Sequence, residues 1–310
     1  MKKITYLLLT ALTVLALGTP VALADRVAID PMFTYGESLS PSQYQETKKA
    51  LGVADGVQEI EVKINELNGL LNDTYPYHQV YSSTYITPAK NEGGVTVEIV
   101  TPQTITDITP LQYQNAAITA GAVDVNIKVA SAVRVDGSGA LAGVYKSFQQ
   151  AGQALDSQAV SVAQDELAVT SQITEENKAN SDYSDEVLNA AIAEIKTNIQ
   201  EVKQTGNGNI SNQEVHNIVN NVINNYNLNN VISDNNVQML VNQMNNFSRL
   251  EFTPEQQAQF RQLGQKITQQ GGQLFKDAQT AWDQADKNAI MSFLSDLWQA
   301  IVGFFQGLFA

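Results

Sequence analysis

A proline-capped helix signature occurs twice in the chain, 69 positions apart, and it constrains the first half of the fold more than any other feature. Ser40-Pro41-Ser42-Gln43-Tyr44-Gln45 is matched by Thr109-Pro110-Leu111-Gln112-Tyr113-Gln114, and Gly52 is matched by Gly121. The hydroxyls of Ser40 and Thr109 can accept from an orphan N–H of a first helical turn, and Pro41 and Pro110 stand where that turn needs no N–H. Gln43 and Gln112, three residues after the cap, can bond back to it and complete a capping box. Leu39 with Tyr44, and Ile108 with Tyr113, have the spacing of a hydrophobic staple. Gly52 and Gly121 supply the left-handed conformation that ends a helix.

Strand-like runs flank both helices. Residues 26–35 precede the first, and Val57-Gln58-Glu59-Ile60-Glu61-Val62-Lys63-Ile64 follows it with period-two alternation. Residues 95–100 precede the second, and Val123-Asp124-Val125-Asn126-Ile127-Lys128-Val129 follows it. Residues 81–87 make a further strand, and the loop containing Asn91-Glu92-Gly93-Gly94 reads as a hairpin leading into 95–100. Asp136-Gly137-Ser138-Gly139 then leads into a helix over 140–150. Those glycines suit a tight turn, with an anion-binding nest as the alternative. The class is therefore α+β: an N-terminal mixed or antiparallel sheet with duplicated strand–helix–strand units, followed by an all-α C-terminal region. Because one face of each alternating strand is polar, the helices are expected on one face of the sheet.

Three segments carry a family resemblance: Asn115-Ala116-Ala117-Ile118-Thr119-Ala120-Gly121, Val125-Asn126-Ile127-Lys128-Val129-Ala130-Ser131-Ala132, and Gly137-Ser138-Gly139-Ala140-Leu141-Ala142-Gly143. Together with Tyr35-Gly36 and Ser82-Ser83, the chain resembles an exported family of Gram-positive bacteria known as domain of unknown function 1002. The likeness covers most of the chain after residue 24 and is strongest over 35–148. It implies membership and no activity, so no catalytic residue comes with it.

From about residue 151 the strand signals vanish. Ser184 can cap a helix over 185–203, with Val187, Leu188, Ala191, Ile192, Ile195 and Ile199 on helical spacing. The asparagine-rich stretch 207–246 has the composition of a disordered tract. Its apolar residues predict helices instead: Val215, Val219, Val222 and Tyr226 recur at helical intervals, as do Val237, Leu240, Val241, Met244 and Phe247. Asparagine is a poor helix former, so such helices need packing partners. Thr253-Pro254-Glu255-Gln256 opens another helix, in which Gly264 and Gly271-Gly272 are expected to mark bends or a break.

Both ends of the chain carry their own signals. Residues 1–24 read as a secretory signal peptide: Lys2 and Lys3, an apolar run over 4–17, and Ala22-Leu23-Ala24 as the cleavage site before Asp25. The expected destination is secreted or extracellular, with cell-surface association. Residues 289–310 hold a single charge, Asp296. On a helical wheel, Ser292, Ser295, Asp296, Gln299, Gly303, Gln306 and Gly307 fall within an arc of about 120°, and apolar residues fill the rest. Trp298, Ile301, Phe304, Phe305, Leu308 and Phe309 lie in that apolar arc, which makes the segment a candidate interaction helix. Three covers are open to it: packing on the body of the protein, a membrane interface or envelope protein, and a homo-oligomeric seam. The expected organisation is thus a signal peptide over 1–24, an α+β domain over 25–152, a helical region over 153–288 and an amphipathic helix over 289–310.

The remaining composition narrows the chemistry. There is no cysteine, so disulfides, thiolate metal sites and cysteine nucleophiles are excluded. A formal net charge of −14 argues against nucleic acid as a partner. His78 and His216 lack the spacing of a zinc site, and Asp234-Asn235-Asn236 lacks the glycine and distal glutamate of a calcium loop. The pairs Asp165/Glu166 and Glu175/Glu176 are adjacent on helices and so face different directions. No P-loop, G-x-S-x-G or H-E-x-x-H is present. No cofactor, metal or catalytic residue is assigned. The expectation is a non-enzymatic envelope protein acting through contacts. An envelope hydrolase with carboxylates assembled in three dimensions is one alternative, and a soluble ligand-binding module is the other.

Overall fold

The capping devices form where the sequence places them. In the computed structural model, which describes residues 29–90, 93–153 and 155–267, Ser40 caps α1 (Pro41–Leu51) and Thr109 caps α3 (Pro110–Thr119), each with its glutamine closing the box. Gly52 ends α1 in the left-handed region at φ 66°, a conformation glycine adopts without steric cost. The strands are β1 (Met32–Gly36), β2 (Gln58–Val62), β3 (Ser83–Pro88), β4 (Thr96–Ile99) and β5 (Val125–Ala130). A 3₁₀ turn (Ile64–Glu66) and the short α2 (Leu67–Leu71) follow β2, and α4 (Ala140–Gln150) follows β5.

The five strands form one mixed sheet in the order β2-β1-β3-β5-β4. Within each unit the strands are parallel, β1 with β2 and β4 with β5, and β3 runs antiparallel between the two units. The fold class is therefore α+β with a mixed sheet, as the alternation implied. The expected hairpin is not formed: β3 pairs with β1 and β5, and β4 pairs with β5. The chain between β3 and β4 steps over β5, whose position was reserved by long-range pairing that a turn signal does not encode.

The helices also depart from the expected single face. Phe33 and Ala130 on one side of the sheet are buried with Leu51 of α1, and Tyr44 packs against them. The opposite side buries Ile86, Val97, Ile127 and Val129 with α3 and α4. There α4 approaches so closely that a Cβ on Gly143 would lie 2.4 Å from Thr34 Oγ1, above the buried Thr34–Thr84 hydroxyl pair at 2.6 Å. Polar residues such as Glu59, Glu61 and Lys128 share the α1 side, and α1 covers it by pairing with them: Tyr44 donates to Glu59, and Lys48 lies 2.6 Å from the same carboxylate. Both parallel units step in the same direction across the sheet, yet α1 and α3 lie on opposite faces. Their crossovers are therefore of opposite hand, and one of them is of the left-handed kind found in about 2% of such connections.

The helical half stacks on α3. α5 (Ser157–Asn177) and α6 (Asp185–Thr205) lie against it, α8 (Asp234–Ser248) packs on α5, and α7 (Asn212–Asn225) pairs with α8. The asparagine-rich tract is helical, with Val215, Val219, Leu240, Met244 and Phe247 buried as the spacing implied. A further helix, α9, covers 254–267. The helix runs unbroken through Gly264. The glycine is a point of close approach, where a Cβ would lie 2.5 Å from Thr197 Oγ1 on α6. One buried cluster runs from the sheet through α3 to Leu263 of α9. Gly271 and Gly272 lie outside the described residues.

Candidate functional site

The signal-cleavage residues Ala22, Ala24 and Asp25 and the interaction-helix residues Trp298, Ile301, Phe304, Phe305, Leu308 and Phe309 lie outside the described residues. The structure separates the other polar residues named from the sequence. His78 is exposed in the loop before β3 and His216 is half-buried on α7. Among the described residues, no group of three or more His, Asp or Glu side chains is placed to hold a metal. Asp136 accepts from the backbone N–H and hydroxyl of Ser138, so the turn before α4 is closed by its own carboxylate. Asp234-Asn235-Asn236 is the first turn of α8, where Asn236 completes a capping box with Ser233.

Of the two acidic pairs, one member enters the core. Glu166 sits at 3% side-chain exposure on α5, with both oxygens facing Lys196 Nζ of α6 at 2.8 and 3.0 Å. Lys196 is fully buried, and its ammonium also donates to Thr119 Oγ1 at 3.0 Å and to the Asn115 carbonyl at 3.1 Å, both on α3. Phe247 and Phe260 stand over it, with ring centroids 5.7 and 5.8 Å away. Burial pulls the lysine below its ordinary pKa, and the Glu166 charge opposes that shift. Asp165 next door is exposed, and Glu175 and Glu176 pair instead with Lys178 and with Gln172 and Asn236.

The polar cluster extends along the same interface. Gln112 of α3 donates to Thr170 of α5 at 2.9 Å, and Asn115 donates to the Asn189 carbonyl of α6 at 2.9 Å. The chemistry of the ion pair at its centre follows from the satisfaction of the ammonium. The ammonium's three protons are taken by a carboxylate, a hydroxyl and a carbonyl, so the amine is committed internally and sealed from solvent. A buried pair with its hydrogen bonds complete fixes how helices dock, because a slipped register would leave a charge unpaired in a low-dielectric interior. The cluster thus holds α3, α5 and α6 in one arrangement.

Sequence reading missed this pair, yet a signal for it exists. Lys196 lies four residues after Ile192 and three before Ile199, on the apolar stripe of α6, and Glu166 lies four residues after Val162 on that of α5. A charge on each of two apolar stripes is the pattern that would have found it.

The comparisons with known proteins agree with the resemblance drawn from the motifs. The chain is 31% identical over 201 residues to an uncharacterised protein of Bacillus subtilis (strain 168), YpuA. That match takes in 63% of this chain and 66% of the relative, just under two thirds of its length. No solved structure matches. A family model described as protein of unknown function (DUF1002) matches residues 35–265, a span running from the end of β1 to α9 and enclosing the polar cluster. The chain belongs to that family.

Proposed function

We propose that the protein is an exported cell-envelope protein that works through contacts and breaks no bonds, with residues 289–310 as its contact element. The observation that carries this reading is the apolar arc of that segment, wider than the stripe a surface helix buries, with Trp298 and four phenylalanines among its apolar residues. The three-part leader over 1–24 supports export. The Lys196–Glu166 pair supports a non-enzymatic body, since its amine and carboxylate are spent on each other inside the core. The segment follows the family-matched region, so a common folded body would carry a distinct adhesive end. Among the described residues no helix is long and apolar enough to cross a membrane, which leaves an interfacial mode for lipid contact.

Vesicle flotation tests this reading. Processed chain mixed with vesicles of phosphatidylglycerol and phosphatidylcholine is expected to float, and chain ending at residue 288 is expected to stay at the bottom of the gradient. If both forms stay behind, with and without calcium, lipid contact is wrong.

A further inference from the structure

Among the described residues, the exposed large hydrophobic side chain is Tyr75, at 65% exposure in the loop between α2 and β3. A ring held in water on a loose loop would mean little. This loop is tied. Asn68 donates to Asp73 Oδ1 at 2.9 Å and to the Tyr75 carbonyl at 2.7 Å. The Tyr75 N–H returns to Asp73 Oδ1 at 3.3 Å, and the Tyr77 N–H donates to the Tyr75 carbonyl at 2.9 Å. The Tyr77 hydroxyl donates to Asp73 Oδ2 at 2.5 Å while its ring rests against the core. Pro76 fixes φ between the two tyrosines, whose centroids are 4.9 Å apart with planes at 58°. The loop therefore presents the ring from a backbone whose ordering entropy is already lost, which lowers the cost of a contact there.

The nearest charge shown beside the ring is negative, the Asp73 carboxylate that accepts from the Tyr75 N–H. Asp73 is within its own hydrogen-bond ring, and the charge of Asp136, in the turn before α4, also reaches the Tyr77 hydroxyl. Neither carboxylate is in an ion pair among the described residues. An aromatic face attracts cations through its quadrupole, and a neighbouring carboxylate adds to that attraction. Thr74, Tyr75 and Pro76 are all exposed, unlike the enclosed lining of a pocket that buries a small free ligand.

We infer that the Tyr75 loop is a docking site for a basic segment of a partner protein, with a lysine or arginine side chain seated on the Tyr75 ring beside the Asp73 carboxylate. The partner supplies positive charge to a chain whose formal net charge is −14, and its backbone brings the additional contacts that an exposed loop cannot make around a lone cation. The inference does not rest on the role proposed for residues 289–310.

Fluorescence anisotropy of dye-labelled pentalysine, titrated with the processed chain at about 0.15 M salt, tests it. Tyr75→Ala is expected to weaken binding about two- to fivefold, the range for an exposed cation–ring contact. Tyr75→Phe keeps the ring face and retains affinity, whereas Tyr75→Leu keeps an apolar side chain and loses it. Equal binding by Tyr75→Ala and the native chain overturns the inference, as does full affinity in Tyr75→Leu. Equal binding of pentaglutamate, or of butylammonium as tightly as pentalysine, also overturns it.

Discussion

Lys196 and Glu166 show what a single buried side chain can decide. Each is buried in the core, and each is tolerable only because the other is present. Lys196→Met would leave Glu166 charged and unpaired in the core, and chemical denaturation should register a loss of about 3–5 kcal/mol. Lys196→Met combined with Glu166→Leu removes both charges, and most of that loss should be recovered. A double variant no more stable than the single one would mean that the pair does not act as a unit. The pair also marks where residue-level reading of the sequence ends. Lys196 resembles any surface lysine until its place on the Ile192–Ile199 stripe is noticed, and even then its partner lies thirty residues away on another helix. The capping residues lie at the opposite extreme. Ser40, Gln43, Thr109 and Gln112 interact within one turn, so their roles are written locally and were fully legible.

Elements follow the same division between local and distant causes. The asparagine-rich helices were legible because Val215, Val219, Leu240 and Met244 repeat at helical intervals whatever the residues between them. Lys203 at the end of α6 was not. It reads as a helix-terminal charge, but its ammonium donates to the carbonyls of Ser248 at 2.9 Å and Leu250 at 2.7 Å, where it closes the end of α8. The close approach at Gly264 was not legible for the same reason, since a glycine in a helix signals weakness unless the neighbouring element is known. Alanine there gains up to about 1 kcal/mol in helix propensity. It also places a methyl group against Thr197, whose hydroxyl donates to the Phe260 carbonyl of α9 at 2.9 Å. Gly264→Ala is therefore expected to lower the melting temperature. In a Thr197→Ala background, where only the Cβ remains at 3.1 Å, the same change should lower it by less. An equal loss in both backgrounds would exclude the contact as the cause.

At the scale of the molecule, the sequence duplication and the structural one diverge. Two strand–helix–strand units with the same capping chemistry lie in one sheet, but α1 covers one face and α3 the other. Nothing in either copy states this. The difference comes from what each helix must bury. The two faces of α3 meet β4 and the α5–α6 layer, so its residues are buried almost throughout, whereas α1 is largely solvent-facing and buries Thr47 and Leu51. The second copy is thus the joint on which the helical half is mounted, with the Lys196 cluster inside it. The proposed contact element follows these units in the sequence. Trp298 reports on it directly once Trp282, the second of the chain's two tryptophans, is changed to Phe. With vesicles added, the account predicts that Trp298 emission moves to shorter wavelength and is quenched by brominated lipid. Emission that is the same with and without vesicles would contradict it.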